Sequence, residues 1–210
     1  MPPPTDRAAW DEAAEVLARE HSVPARLLES HGPPRLGTRP APADRFQTLA
    51  RAIAHQQLAG KAAAAIWARV VAAVGGEFSP VSVLELGPQQ LRACGLSTAK
   101  AAAILELAFF TAEGQIRFDR IARFDDQTVI EQLTSVKGIG PWTAQMFLMF
   151  DLRRIDVWPT GDYGVRAGFA TAFGLETIPK PSELEALGEP FAPYRSVIAW
   201  WCWQETDSKP

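Results

Sequence analysis

Two hundred and ten residues, 47% apolar and 21% charged with a net charge of −3, are enough for one large folded domain or two small ones. No run approaches the ~20 consecutive apolar residues that cross a bilayer. The two cysteines, Cys94 and Cys202, are too few for a four-cysteine zinc site, an iron–sulfur cluster held by four thiolates or a disulfide framework.

The three histidines (His21, His31, His55) are scattered, which disfavours a zinc hydrolase, so the expectation is chemistry without a tightly held metal. The start, Met1-Pro2-Pro3-Pro4-Thr5-Asp6-Arg7, has no basic segment feeding an apolar one, so neither a signal peptide nor an anchor is expected. A cytosolic or nucleoid location follows as the expectation. Acidic excess sits at the two ends, whereas residues 31–175 carry fifteen bases against twelve acids. That leaves room for a local basic face without establishing one.

Ala8 to Ser30 is patterned as one or two amphipathic helices. His31 to Pro42 is too rich in proline for regular structure and reads as an ordered connection. Asp44 is placed to cap a helix in which Phe46, Leu49, Ala50 and Ile53 share one face. A second helix runs from about Lys61 to Gly75-Gly76. Pro88 opens a short helix through Leu91 that closes near Gly95, and Thr98 begins a longer one through Phe110. Further helices are predicted over Asp126–Thr134, from Pro141 to about Phe150, over Asp162–Phe173, over Ser182–Leu187 and over Phe191–Gln204. Nothing alternates as a strand, with Arg154-Ile-Asp-Val-Trp158 the nearest approach. The fold class is all-α, roughly ten helices with short connections and no internal repeat.

The segment richest in chemistry is Leu133-Thr-Ser-Val-Lys-Gly-Ile-Gly-Pro-Trp-Thr-Ala-Gln-Met-Phe-Leu148. One helix ends, Gly138 and Gly140 make a turn, and a helix begins at Pro141. Glycines let a backbone approach a ligand closely and adopt positive φ. The unpaired amides of the next helix's first turn suit a phosphate. Taken alone, the same spacing also suits a plain interhelical turn. Some 20 residues on comes Asp156-Val-Trp-Pro-Thr-Gly-Asp162-Tyr-Gly-Val-Arg166. Asp162 stands where a helix begins, a position that favours an ionised carboxylate and equally suits an ordinary N-cap.

Together these segments resemble the helix-hairpin-helix–Gly/Pro–Asp superfamily of base-excision DNA glycosylases, and most closely its alkylated-base branch, the 3-methyladenine DNA glycosylase II type. Leu49-Ala-Arg-Ala-Ile-Ala-His-Gln-Gln-Leu-Ala-Gly-Lys-Ala-Ala63 and Leu91-Arg-Ala-Cys-Gly-Leu-Ser-Thr-Ala-Lys-Ala101 resemble two more of its segments. The likeness covers about residues 44–204 and implies two helical subdomains flanking a cleft. Residues 1–43 would form a helical extension and Pro-rich connection packed on that body, with no N-terminal β-rich domain, and 205–210 a tail.

The resemblance implies a monofunctional enzyme that flips N-alkylated bases out of double-stranded DNA and hydrolyses the N-glycosidic bond. Asp162 would be the catalytic carboxylate, with Asp156 the second choice. Trp142, Met146 and Trp203 would line the base pocket, although core packing is an equal reading for both tryptophans. Met146 stands where the family often has an aromatic. Gln57 would wedge into the duplex, or Leu58 on apolar grounds. Gly138, Gly140, Thr143 and Lys137 would meet the DNA backbone. The carbonyls of Thr134, Val136 and Ile139 would hold a monovalent cation, sodium or potassium, with no other cofactor. Bifunctional members carry a nucleophilic lysine two residues after the second hairpin glycine. Trp142 occupies that place here, so no Schiff base and no strand cleavage are expected. The rivals are a non-catalytic helix-hairpin-helix module that binds DNA structure, and a glycosylase for oxidised or deaminated bases. A monomer is the expected state.

Overall fold

A computed structural model describes residues 7–36, 40–58 and 60–207. Among these the chain forms eleven α-helices and no strand: α1 (Arg7–Glu20), α2 (Ser22–His31), α3 (Arg45–His55), α4 (Gly60–Val74), α5 (Pro80–Ala93), α6 (Thr98–Ala112), α7 (Asp126–Thr134), α8 (Pro141–Met146), α9 (Tyr163–Phe173), α10 (Pro181–Gly188) and α11 (Arg195–Asp207). The all-α reading of the sequence holds, and none of these helices is long and apolar enough to cross a membrane. The chain divides into two compact units, Pro40–Phe147, and Met1–Arg39 with Leu148–Pro210.

In the unit Pro40–Phe147, the periodic face of α3 does what its spacing predicts: Phe46, Leu49, Ala50 and Ile53 are buried. Ile104 and Leu107 of α6 and Leu91 of α5 are also fully buried, each contributing about 1.5–3 kcal/mol of apolar burial. Arg45 is buried as well, and its guanidinium donates to the Phe118 carbonyl at 2.8 Å.

The structure corrects three local expectations here. Asp44 occupies the N-cap position of α3 but makes no side-chain cap. It ends a 3₁₀ turn, Pro42–Asp44, with helical φ/ψ, whereas a capping side chain needs extended backbone to reach forward. The helix expected to open at Pro88 is preceded by a helical stretch that was not expected, which begins at Pro80 on a reciprocal Ser79–Ser82 capping box. Gly87 then breaks it at φ 72°, and Pro88 starts the second stretch. The helix begun at Pro141 changes to a π-helical turn over Phe147–Asp151 rather than running on as α.

In the other unit, α9 and α11 pack face to face, with α1 and α2 also on α11. The last helix starts at Arg195, four residues later than its apolar pattern suggests, because a 3₁₀ turn covers Glu189–Phe191. Gly164 and Gly168 lie four apart on α9, hence on one face. A Cβ on Gly168 would run into the Cys202 carbonyl of α11. Trp201 is fully buried and its Nε1 donates to the Gly32 carbonyl at 2.9 Å, tying α11 to the end of α2. Trp158 in this unit and Trp67 in the other are core residues.

Candidate active site

The loop leading to Asp162 is fixed from α11. The Ser196 hydroxyl donates to the Arg154 carbonyl at 2.9 Å and accepts from the Val157 amide at 2.8 Å. Arg195 grips Asp156 through Nε and Nη2 at 2.8 and 2.9 Å. That pairing holds the Arg195 guanidinium above its ordinary pKa, chiefly through the hydrogen bonds to Asp156. Asp156 therefore has a structural task, pinning the start of α11 to the loop.

Asp162 is the N-cap of α9, and its Oδ1 accepts from the Val165 amide at 2.8 Å. The same oxygen accepts from Trp203 Nε1 at 3.0 Å. Two donors on one oxygen set the plane of a half-buried carboxyl group. Gly164 makes room for the indole, since a Cβ there would lie 2.9 Å from Trp203 Cδ1 and 3.1 Å from Asp162 Oδ1. Phe150 lies against Trp203 with ring centroids 5.9 Å apart. Of the tryptophans at 200, 201 and 203, it is thus Trp203 that meets Asp162. Cys202 between them is wholly buried, and burial pushes its thiol far up, so it carries no thiolate chemistry.

In the unit Pro40–Phe147, α7 ends and α8 begins around the glycine turn. Gly138 has φ +90°, and a Cβ would meet the Ala103 Cβ at 3.0 Å, so this position needs glycine on both counts. Gly140 differs from expectation. Its φ is −88°, ordinary extended backbone, and nothing stands within 4 Å of the place a Cβ would take. Its smallness matters only for what approaches from outside. Lys137, Gly138 and Gly140 are exposed, and the Lys137 amide donates to a Glu106 carboxylate oxygen. The Ile139 amide is spent on the Val136 carbonyl at 3.1 Å. The carbonyls of Thr134 and Val136 lie at and just beyond the C-terminal end of α7, where helix carbonyls carry partial negative charge. Val136 keeps a second lone pair beside the one Ile139 uses, so this donor set fits a weakly bound monovalent cation.

The Gln56–Gln57–Leu58 turn follows α3. Gln57 is exposed and left-handed at φ 54°, a conformation that costs a non-glycine residue free energy and marks a position held by its surroundings. Leu58 is also exposed, at 40%. Gln56, by contrast, points inward: its Nε2 donates to the Gly138 carbonyl at 3.0 Å and to Thr143 Oγ1 at 3.3 Å. The turn and the hairpin are thereby one braced unit. Thr143 is buried, with its side chain in that brace, which leaves its main chain as the part it can offer a ligand.

Ala52, His55, Gln56, Gln57, Trp142, Thr143 and Met146 line a cavity of about 500 Å³. Trp142 is 48% exposed. Of the residues expected at a base pocket, Trp142 and Met146 thus share one cavity with Gln56 and Gln57, and Trp203 belongs with Asp162.

Residue-by-residue reading of the sequence missed Lys100. Its Nζ donates to the Ala54 and Gln56 carbonyls at 3.0 and 2.6 Å, capping the C-terminus of α3 and holding the turn that carries Gln57. Desolvation lowers its pKa. The only signal was its place in the Gly95-Leu-Ser-Thr-Ala-Lys100 stretch. Lys100→Met removes two charge-assisted hydrogen bonds while keeping the stem. It should cost about 1–3 kcal/mol and lower the melting temperature by roughly 2–12 °C, read by circular dichroism.

Three comparisons set the chain beside known proteins. Residues 50–193 match the family described as HhH-GPD superfamily base excision DNA repair protein. DNA-3-methyladenine glycosylase 1 of Schizosaccharomyces pombe is 36% identical over 162 residues, covering 76% of this chain and 71% of that one. Among solved structures, a DNA-3-methyladenine glycosidase from Bacillus halodurans superposes with a TM-score of 0.84 at 34% identity, covering 93% of this chain and 89% of that one. A Schizosaccharomyces pombe 3-methyladenine DNA glycosylase in complex with abasic DNA gives a TM-score of 0.78 at 32% identity, covering 92% and 95% of the two chains. With the hairpin, the Asp162 cap and these matches in agreement, this chain belongs to the HhH-GPD superfamily of base excision DNA repair proteins.

Proposed function

We propose that this chain is a monofunctional DNA glycosylase that flips N-alkylated bases, of the 3-methyladenine and 7-methylguanine type, out of double-stranded DNA and hydrolyses the N-glycosidic bond. The observation that carries the reading is the carboxyl group of Asp162, held by the Val165 amide and the Trp203 indole, in a chain whose relatives are named for 3-methyladenine excision. Alkylation of a ring nitrogen makes the base electron-poor and a good leaving group. As its bond to the sugar breaks, positive charge develops on the deoxyribose. A fixed carboxylate stabilises that charge, because its orientation is set before the reaction begins. The base leaves with the bonding electron pair, water adds to the anomeric carbon, and the water's spare proton is released.

The exposed Gly138–Gly140 turn meets the DNA backbone, with Lys137 beside it. The Thr134, Val136 and Ile139 carbonyls would hold a monovalent cation, which when bound supplies positive charge toward a phosphate. Gln57, presented in its left-handed turn, fills the gap that the flipped base leaves in the stack. Trp142 and Met146 face the base in the cavity. Trp142 stands where a lyase needs its amine, so the product is an intact strand with an abasic site.

Duplex oligonucleotides with one defined lesion each test the reading. Release of 3-methyladenine and 7-methylguanine is expected, with strand breaks only after hot alkali. Breaks without alkali would refute the monofunctional mechanism. Binding with no base released from any lesion would replace the enzyme with a non-catalytic DNA-binding module.

A further inference from the structure

Lys100, Ala103 and Glu106 follow one another three apart along α6, in a single row on the helix. Each meets one of the two turns expected at the DNA. Lys100 Nζ donates to the carbonyls of Ala54 and Gln56, at and just beyond the end of α3. Ala103 is the residue that a Cβ on Gly138 would strike, and Glu106 accepts from the Lys137 amide. Gln56 then spans the two turns through its bond to the Gly138 carbonyl. The contact at Gln56 matters most. Its carbonyl belongs to the planar peptide group that leads into Gln57. Holding that oxygen at 2.6 Å fixes the plane of the peptide, and with it the direction in which the Gln57 side chain leaves the backbone. Gln57 is left-handed at φ 54°, a conformation that an unrestrained chain would exchange for a less costly one.

We propose that Lys100 is a positioning residue for the wedge, holding Gln57 in its exposed, left-handed pose before DNA arrives, at a spacing from the hairpin that α6 sets. This rests on the reading in which Gln57 fills the gap left by a flipped base. Extruding a base from the stack is unfavourable. A wedge that still had to order would add the loss of its own conformational freedom to that cost. A wedge already fixed by the Lys100 ammonium is spared the addition. Lys100 therefore serves extrusion through Gln57, without itself touching the base.

Two measurements on the full chain, made well below the melting temperature of Lys100→Met, decide the matter. The first is a double-mutant cycle on affinity for a duplex bearing a tetrahydrofuran abasic analogue, where the gap is open and no base has to be released. Lys100→Met and Gln57→Ala should each weaken binding roughly fivefold, and the double variant should fall no more than about twofold below Gln57→Ala, because residues that act through one another are not additive. Losses that multiply, or a Lys100→Met protein that binds as wild type does, would overturn the proposal. The second measurement compares single-turnover release of 7-methylguanine opposite cytosine and opposite adenine. Lys100→Met should slow the first roughly tenfold and the second less than about threefold, since a mispaired base is easier to extrude. Equal slowing of both would reduce Lys100 to a support of the fold and overturn its role in extrusion. If the cycle is non-additive but wild-type protein releases no base from either duplex, the glycosylase reading falls and the positioning of Gln57 by Lys100 stands.

Discussion

Asp162→Asn should stop base release, slowing single-turnover excision of 7-methylguanine by roughly 10²–10³-fold, the range seen when one preorganised electrostatic group is removed from a reaction. The substitution isolates charge from structure. Asparagine has the same shape and is as good an N-cap as aspartate. Its carbonyl oxygen can still accept from the Val165 amide and from Trp203 Nε1, the two donors now on Oδ1. The melting temperature should therefore hold, and affinity for a duplex with an abasic-site analogue should stay within a few-fold. Asp162→Ala is a poorer test, because it also removes the cap, at about 1 kcal/mol, and frees the indole. Excision by Asp162→Asn at the wild-type rate would remove Asp162 from the chemistry.

How much of this was legible in the sequence depended on whether a feature was local. Helix type follows from periodicity and end signals, so α7 begins and ends where Asp126 and Thr134 predict, and Gly75 ends α4 at positive φ. The start of α5 was missed because its cap is a serine pair, Ser79 and Ser82, in a stretch whose most conspicuous residue is Pro88. Asp162 was legible as an N-cap from its place before α9. Its bond to Trp203, 41 residues on, was not, because nothing local says which of three neighbouring tryptophans turns inward. The same limit hid Lys100, whose partners are the carbonyls of Ala54 and Gln56. A main-chain acceptor has no residue type to recognise. Gln56 and Gln57 show the reverse difficulty: identical adjacent residues on one turn, one bonded to the hairpin and the other exposed, are separated only by the direction in which each side chain leaves the backbone.

Gly168→Ala should be the most destabilising single methyl added to the α9–α11 pair. An alanine Cβ at this position would collide with the carbonyl oxygen and carbonyl carbon of Cys202 and stand 2.7 Å from its Cα. All three are main-chain atoms of α11, so no side-chain rotation relieves the contact and the helices themselves must separate. Close-packed interiors resist such shifts, and overpacking on this scale costs about 3 kcal/mol or more. For a chain of this length that corresponds to a fall of roughly 6–12 °C in melting temperature, measured by circular dichroism. Alanine is otherwise the better helix former by about 1 kcal/mol, so the sign of the result tests the packing directly. A rise in melting temperature would mean that α9 and α11 do not approach at Gly168. The damage also reaches the chemistry, because α9 carries Asp162 at its start and α11 carries Trp203. Parting the two helices draws the Trp203 indole away from the Asp162 carboxyl group, so base release should weaken at temperatures where the protein remains folded.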